Sequence, residues 1–417
     1  MLELFAVRGQ LAITVAIHAT LAASTWAASL LAAEGARRSQ SQPEWATAAA
    51  DWWARTRILA PLTTATGLLV AAQVGIFWRN ALEVAGGALV LPLVVAVVGS
   101  LARAAVVWRS PSVSVAGACL AVGAGASSGV SALLGLAWLA HPAGASVAVE
   151  GTLQASAISA FVSASGWMRV AHVGLAATAL GATFFALGAA RRKQSRSLGL
   201  ATRTALAAVT LQMFVGAATV RSVGQHEPVK LAAMAAQWED RASAPVQIGA
   251  WPFDFGEQTR PGLALDGLLS TWVHGSADAT VEGLLATPME GRPPIAAMHV
   301  SIQMKVFLGL FAWLTLLGAT LGGARGRHPR WLLALTTTPS LSVVWLVGWF
   351  VAELGRSPWT IRGVLRVGKA AWTPYGMAPT AVIPILAALV LAVVALRRCR
   401  GLSISTDAPE PDATGNV

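Results

Sequence analysis

Charge is what this chain has least of. Only 12% of its 417 residues are charged, about half the share usual in a water-soluble domain, while 55% are hydrophobic. That deficit excludes an ordinary soluble fold. Cysteine is nearly absent as well. Cys119 and Cys399 are the only two, so a disulfide framework and a thiolate zinc cluster are both excluded. No Cys-x-x-Cys-His occurs, which rules out covalently attached c-type haem. Acidic residues are outnumbered 19 to 30 by Lys and Arg, leaving a formal net charge of +11. This excess forms no basic domain of the kind that grips nucleic acid, and no nucleic-acid partner is expected. It sits in short loops between apolar runs, as the positive-inside rule requires of a membrane protein. The N-terminus shows no cleavable signal pattern, and its first apolar run reads as a permanent span.

The apolar residues gather in runs near the length that crosses a bilayer as a helix. Nine spans are predicted, at roughly 9–33, 58–78, 84–108, 113–140, 168–190, 200–220, 296–320, 330–351 and 377–397. The expected fold is an all-α polytopic membrane protein with nine transmembrane helices. Residues 1–400 form a single membrane domain, and the long Gly-, Pro- and charge-rich interruption 221–295 lies between helices six and seven. The polar tail 401–417 reads as disordered. Basic clusters at Arg37, Arg38, Arg55 and Arg57, at Arg191, Arg192, Lys193 and Arg196, at Arg325, Arg327 and Arg330, and at Arg397, Arg398 and Arg400 mark alternate loops as cytoplasmic. The N-terminus and 221–295 are then external and the C-terminus cytoplasmic. The external loop with Arg356, Arg362, Arg366 and Lys369 breaks the rule, and a functional duty for those charges would explain it.

Residues 348–359 read Gly-Trp-Phe-Val-Ala-Glu-Leu-Gly-Arg-Ser-Pro-Trp. Glu353 and Arg356 stand at i, i+3 on one helical face, and Pro358 stops the helix. Charged groups beside hydrocarbon are costly, so such a pair points to function. The segment resembles the end of the eighth helix in the large subunit (subunit I) of cytochrome bd quinol oxidases. Lys230 to Glu239, Lys-Leu-Ala-Ala-Met-Ala-Ala-Gln-Trp-Glu, resembles the quinol-binding loop of the same family, with Lys230 and Trp238 matching. Thr66-Gly67-Leu68 and Gln73-Val74-Gly75 keep its second-helix pattern. The resemblance covers nearly the whole chain in topology and is tight around 230–239 and 348–359. It implies a divergent subunit I that binds one or two b-type haems, takes electrons from membrane quinol near Lys230, Glu353 and Arg356, and pairs with a second helical membrane subunit in the bilayer.

Three of the seven histidines lie in apolar spans. An imidazole in hydrocarbon needs a partner, either a hydrogen-bonded core neighbour or a metal. The resemblance makes His18, in the first span, the high-spin haem ligand. It makes His172, opening the fifth, an axial ligand of the low-spin haem b, with Arg169 one turn earlier facing a propionate. The second axial ligand in the family is a methionine at the start of span seven. Aligned through Gly309, that position falls on Lys305, and Met304 stands one residue early, about 100° away around the helix. Met304 ligates if the register shifts. Lys305 and His299 are the alternative ligands, and a chain without the low-spin haem is the third possibility. His141, His226, His274 and His328 read as solvated or interfacial.

Other family positions are emptied. The two third-helix glutamates that serve oxygen reduction fall on Ala96 and Ala104, and no other acid lies inside spans two to four. Arg103 is expected to snorkel to the interface. The acid five places after the quinol-loop lysine is Ala235, and the basic residue two before the haem methionine is Gln303. Oxygen reduction and haem d are therefore not expected, since methyl groups neither ligate iron nor relay protons. The competing expectation is a haem-poor scaffold or assembly subunit that keeps the fold alone.

Overall fold

In the computed structural model, residues 2–147, 153–253, 256–324, 330–372 and 382–401 are described. Among them nine helices are long and apolar enough to cross a membrane. The chain order is α1 (Leu2–Ser39), α2 (Ala46–Phe77), the short α3 (Arg79–Ala85), α4 (Gly87–Arg109), α5 (Val115–Ala140), α6 (Ala164–Arg191), α7 (Ser195–His226), α8 (Pro228–Ala235), α9 (Leu268–His274), α10 (Ile295–Ala324), α11 (Thr338–Leu354), α12 (Val367–Ala370) and α13 (Val382–Gly401). All nine sequence-predicted spans are present as helices, several extended into polar flanks by a turn or more. The expected tail, apart from Gly401, and the first residues of the ninth predicted span, 377–381, lie outside the described residues.

Local chemistry sets the helix ends. Ser114 and Ser163 cap α5 and α6, their hydroxyls accepting from the backbone N–H of Gly117 at 3.0 Å and Gly166 at 3.2 Å. The eighth span opens as a π-helical turn, Leu332–Thr337, before α11. Pro339 follows at once and has no N–H to donate, so the preceding turn widens instead of closing normally. Between α7 and α10 the chain forms short antiparallel pairings, such as Val246–Ile248 with Leu263–Leu265, and the helices α8 and α9.

Sequence neighbours pack as pairs, α1 with α2, α4 with α5 and α6 with α7, and α1 also lies against α5 and α6. The main core is built largely from alanine: Ala23, Ala27, Ala28 and Ala32 of α1 meet Ala179, Ala182 and Ala186 of α6. Lipid is as apolar as leucine, so helices associate in a bilayer through close packing, which small residues permit. Gly181 shows the tolerance, since a Cβ there would stand 2.6 Å from the Ala27 Cβ. At one end of the bundle Asp51, 3% exposed, takes Arg55 at 2.9 Å and Arg192 at 3.4 Å. Arg55 also donates to the Cys399 carbonyl at 3.1 Å, so one carboxylate ties together α2, the end of α6 and α13.

Arg103 departs from expectation. It does not snorkel: it is 4% exposed, and its Nε has no partner. The reason is Gly125 on α5, where a Cβ would meet the Arg103 Nη1 at 3.0 Å. The missing side chain leaves a slot that the guanidinium fills.

Candidate functional site

The most concentrated polar chemistry surrounds the start of α6. His172 sits there half-buried, with the Gln212 amide nitrogen of α7 at 3.0 Å from both ring nitrogens. The Lys305 Nζ of α10 donates to His172 Nε2 at 2.8 Å. The ungapped alignment position, Lys305, is thus the side chain that meets His172. Met304, one residue earlier, points to the outer surface and is 41% exposed, as the 100° step along a helix requires. His299 goes elsewhere. It is 1% exposed and its Nδ1 bonds the Met234 carbonyl at 2.9 Å, so it pins α8 to α10 and does not approach His172. Its Nε2 is buried without a partner. Gln303 donates to the Gln247 carbonyl at 2.7 Å, holding the loop after α8.

Beside this pair lies a cation cluster around one carboxylate. Glu227, 1% exposed at the junction of α7 and α8, pairs with Arg169 of α6. Its other oxygen lies 3.7 Å from both Lys230 Nζ and Arg362 Nη2. Arg362 reaches it because the chain after α11 folds back as a hairpin, Trp359–Ile361 against Leu365–Arg366, and bonds the Leu139 carbonyl at the end of α5. Arg356 pairs with Glu353 at 2.8 Å, the carboxylate half-exposed and the guanidinium mostly covered. Arg366 takes Glu290 at 3.3 Å. Three of the four charges in the loop that breaks the positive-inside pattern therefore hold acids. Positive charge still exceeds negative, and Arg356 Nε and Arg362 Nε are buried without partners.

Lys230 is not a solvated loop charge. It is 6% exposed, and the absence of a side chain at Gly355 makes room for its stem, since a Cβ there would stand 2.5 Å from Lys230 Cε. Burial first, then the charges of Arg169, Arg362, Lys305 and Arg356, lowers its pKa well below the ordinary lysine value. Arg362 is lowered by burial and by Arg356. His141, at the end of α5, is lowered by burial and then by His226, Arg169 and Arg362. Trp238 closes α8 from below, packed with Ile295, Met298 and Val351.

His18 occupies a different setting. Its Nδ1 lies 3.0 Å from Thr66 Oγ1 on α2. That hydroxyl already donates to a carbonyl of its own helix, so it accepts the Nδ1 proton and leaves Nε2 bare. Gly67 gives the ring room, with a Cβ there only 3.0 Å from His18 Cε1. One and two turns away on the same face of α1 stand Thr14 and Gln10. Gln10 is 1% exposed with both amide atoms unpartnered, and Gln73 of α2 leaves its Oε1 unpartnered. The positions expected to carry acids on α4 are Ala96 and Ala104, and the Ala96 carbonyl is taken by Ser128 at 2.8 Å.

Two residues of the His172 region escaped the sequence. Gln212 had no motif around it. Glu227 did carry a signal: it is the only acid between Arg169 and Trp238, and it precedes Lys230 by one helical turn. Both neighbourhoods carry donor groups of the kind a haem takes. The first offers two facing nitrogens, His172 and Lys305, flanked by Gly216 and Gly348, where a Cβ would stand 3.7 and 3.8 Å from them, and unpaired guanidinium nitrogens suited to carboxylates. The second offers a bare imidazole nitrogen and orphaned amides.

The family model of cytochrome bd terminal oxidase subunit I matches residues 6–402, and the chain belongs to that family. It is 25% identical over 369 residues to a Bacillus subtilis (strain 168) protein named "Putative cytochrome bd menaquinol oxidase subunit I", covering 82% of this chain and 83% of that one. It is 24% identical over 258 residues to the cytochrome bd-II ubiquinol oxidase subunit 1 of Escherichia coli (strain K12), covering 45% and 50%. In fold it is similar to the solved bd oxidase from Geobacillus thermodenitrificans, with a TM-score of 0.86 over 96% of this chain and 99% of that one, at 22% identity.

Proposed function

We propose that this chain draws electrons from membrane quinol at the Lys230 cluster and passes them inward through b-type haem, as the subunit I-like half of a two-subunit complex. The observation that carries the proposal is the Lys305–His172 pair, set beside Arg169, Lys230, Arg356 and Arg362. A bound b-type haem supplies one-electron redox chemistry, with a potential set by its axial ligands. His172 and Lys305 are the residues that would hold it, and Gln212 orients the imidazole. Arg356 and Arg362 would pair with its carboxylates. Lys230 donates to a quinone oxygen. His18 would hold a second haem. The relatives' names speak of menaquinol and ubiquinol, and the quinol headgroup suits a lysine lodged beside an apolar helix end. The chain then sits in a bacterial inner membrane as one nine-span unit, with its N-terminus and the loop 221–295 external and its C-terminus cytoplasmic.

Oxygen reduction is not part of the proposal, because Ala96 and Ala104 cannot deliver protons to a buried site. A second reading, a haem-poor scaffold, draws on the hydrogen bond between His172 and Lys305, which satisfies both groups without iron. Haem extraction and the reduced-minus-oxidised spectrum of the purified complex decide between them. A b-type signal is expected in the wild type and its loss in His172→Ala. A well-folded preparation that holds no haem despite ample supply overturns the redox proposal and leaves the scaffold. A far-red haem d band overturns the exclusion of oxygen chemistry.

A further inference from the structure

The opposite end of the bundle carries an unassigned cavity. His172 stands near the start of α6 and Arg191 closes that helix, so about 28 Å of helix separates the two, close to the hydrocarbon thickness of a bilayer. At the far level a cavity of about 390 Å³ opens between the end of α6, the first turns of α7, the last turns of α10 and the π-helical turn. Arg196, Arg203 and Arg330 line it together with Ser195, Thr202 and Thr320, and its apolar wall includes Leu198, Ala319 and Leu333. Among the described residues no acid lines it and none of the three arginines has an ion pair. Arg203 spends only its Nε, on the Gly199 carbonyl at 2.9 Å, and keeps its terminal nitrogens for another acceptor.

Three exposed arginines around one cavity give it a positive potential that favours an anion. The depth is that of lipid headgroups, and basic pockets between helices on the positive side of a membrane suit anionic headgroups. A free phosphate ion would satisfy the arginines and gain nothing from the apolar wall, whereas a phospholipid uses both. We propose that this cavity holds the headgroup of one anionic phospholipid, its phosphate among Arg196, Arg203 and Arg330 and its first acyl carbons against Leu198, Ala319 and Leu333.

The test uses the intact complex in nanodiscs of zwitterionic lipid, doped with phosphatidylglycerol or cardiolipin and read by native mass spectrometry. One anionic lipid should stay bound after detergent release, and binding should weaken about fivefold for each arginine changed to glutamine. Equal retention of zwitterionic lipid, or full displacement by millimolar inorganic phosphate, overturns the proposal. So does unchanged anionic-lipid binding in the triple variant R196Q/R203Q/R330Q. Should that variant fold poorly, a photoreactive phosphatidylglycerol on the wild type takes its place. Crosslinks within 195–203, 319–323 and 330–333 support the site, and crosslinks confined to other segments sink it. None of these readouts depends on haem or quinol, so the outcome is separate from that of the electron-transfer proposal.

Discussion

The two histidine regions of this molecule have fared differently. Around His172 the ring nitrogens are partnered by Gln212 and Lys305, and beside them one carboxylate, Glu227, gathers three cations, of which Lys230 was singled out by the resemblance to a quinol loop. Around His18 the ring is still oriented by Thr66, but the acids expected nearby are methyl groups, and the buried amides of Gln10 and Gln73 are left with unpartnered atoms. On the alignment that the resemblance implies, methyl groups stand where proton-handling groups are expected, while the surrounding helices stay closely packed. Alanine in place of glutamate keeps a helix helical and removes a desolvation cost, so nothing in the fold resists the change. Replacing the cation cluster is another matter, because each charge there depends on the others.

The comparison can be broken most sharply at the rings themselves. His172→Ala should abolish the low-spin b signal and lower haem per complex, while His18→Ala should leave that signal in place. A low-spin spectrum that survives His172→Ala would place the haem elsewhere. Next in size is Glu227→Gln, which leaves Arg169, Lys230 and Arg362 without their shared anion. Removing one partner of a buried ion pair costs about 3–5 kcal/mol, and thermal unfolding of the purified complex should register it as a clear fall in Tm. An unchanged Tm would mean that the cluster is not coupled as the geometry indicates.

Lys305 offers a finer probe. Lys305→Met should keep the b-type spectrum and raise its midpoint potential, since a thioether ligand favours ferrous iron, and redox titration measures the shift. Met304→Ala should change neither spectrum nor potential, because its side chain faces outward. The reverse pattern would restore Met304 as the ligand.

The smallest effect concerns pH. An unfolded lysine keeps its proton up to about 10.5, and buried Lys230 releases its proton lower. Between those two values unfolding takes up a proton, so stability contributed by this group rises as pH increases toward about 10.5. Lys230→Met should flatten that slope. Melting curves between neutral and alkaline pH compare the two, and parallel slopes would show that Lys230 titrates normally.

Much of this was legible in the chain. Runs of apolar residues give the nine spans because a bilayer demands about 20 of them per helix. The Glu353/Arg356 segment could be picked out because charge beside hydrocarbon is rare, and Lys230 because its surroundings resemble a quinol-binding loop. The side chain facing His172 was harder to read. Met304 and Lys305 are adjacent in sequence, methionine has the more familiar chemistry, and the choice depends on helix rotation, which the sequence carries only through alignment. Arg103 misled for a related reason: its burial depends on a glycine on a different helix, Gly125.

The sequence by itself determined the class of the molecule, its span count and the identities of the charged groups near the membrane, because each follows from local composition and the cost of placing polarity in hydrocarbon. Only the tertiary structure decided which groups meet. It turned Lys305 toward His172 and Met304 away, sent His299 to the Met234 carbonyl, and brought Glu227 and Arg362 together from segments 135 residues apart. These pairings rest on helix rotation and on small residues that let helices come close, and both are properties of packed pairs of helices that no single segment encodes.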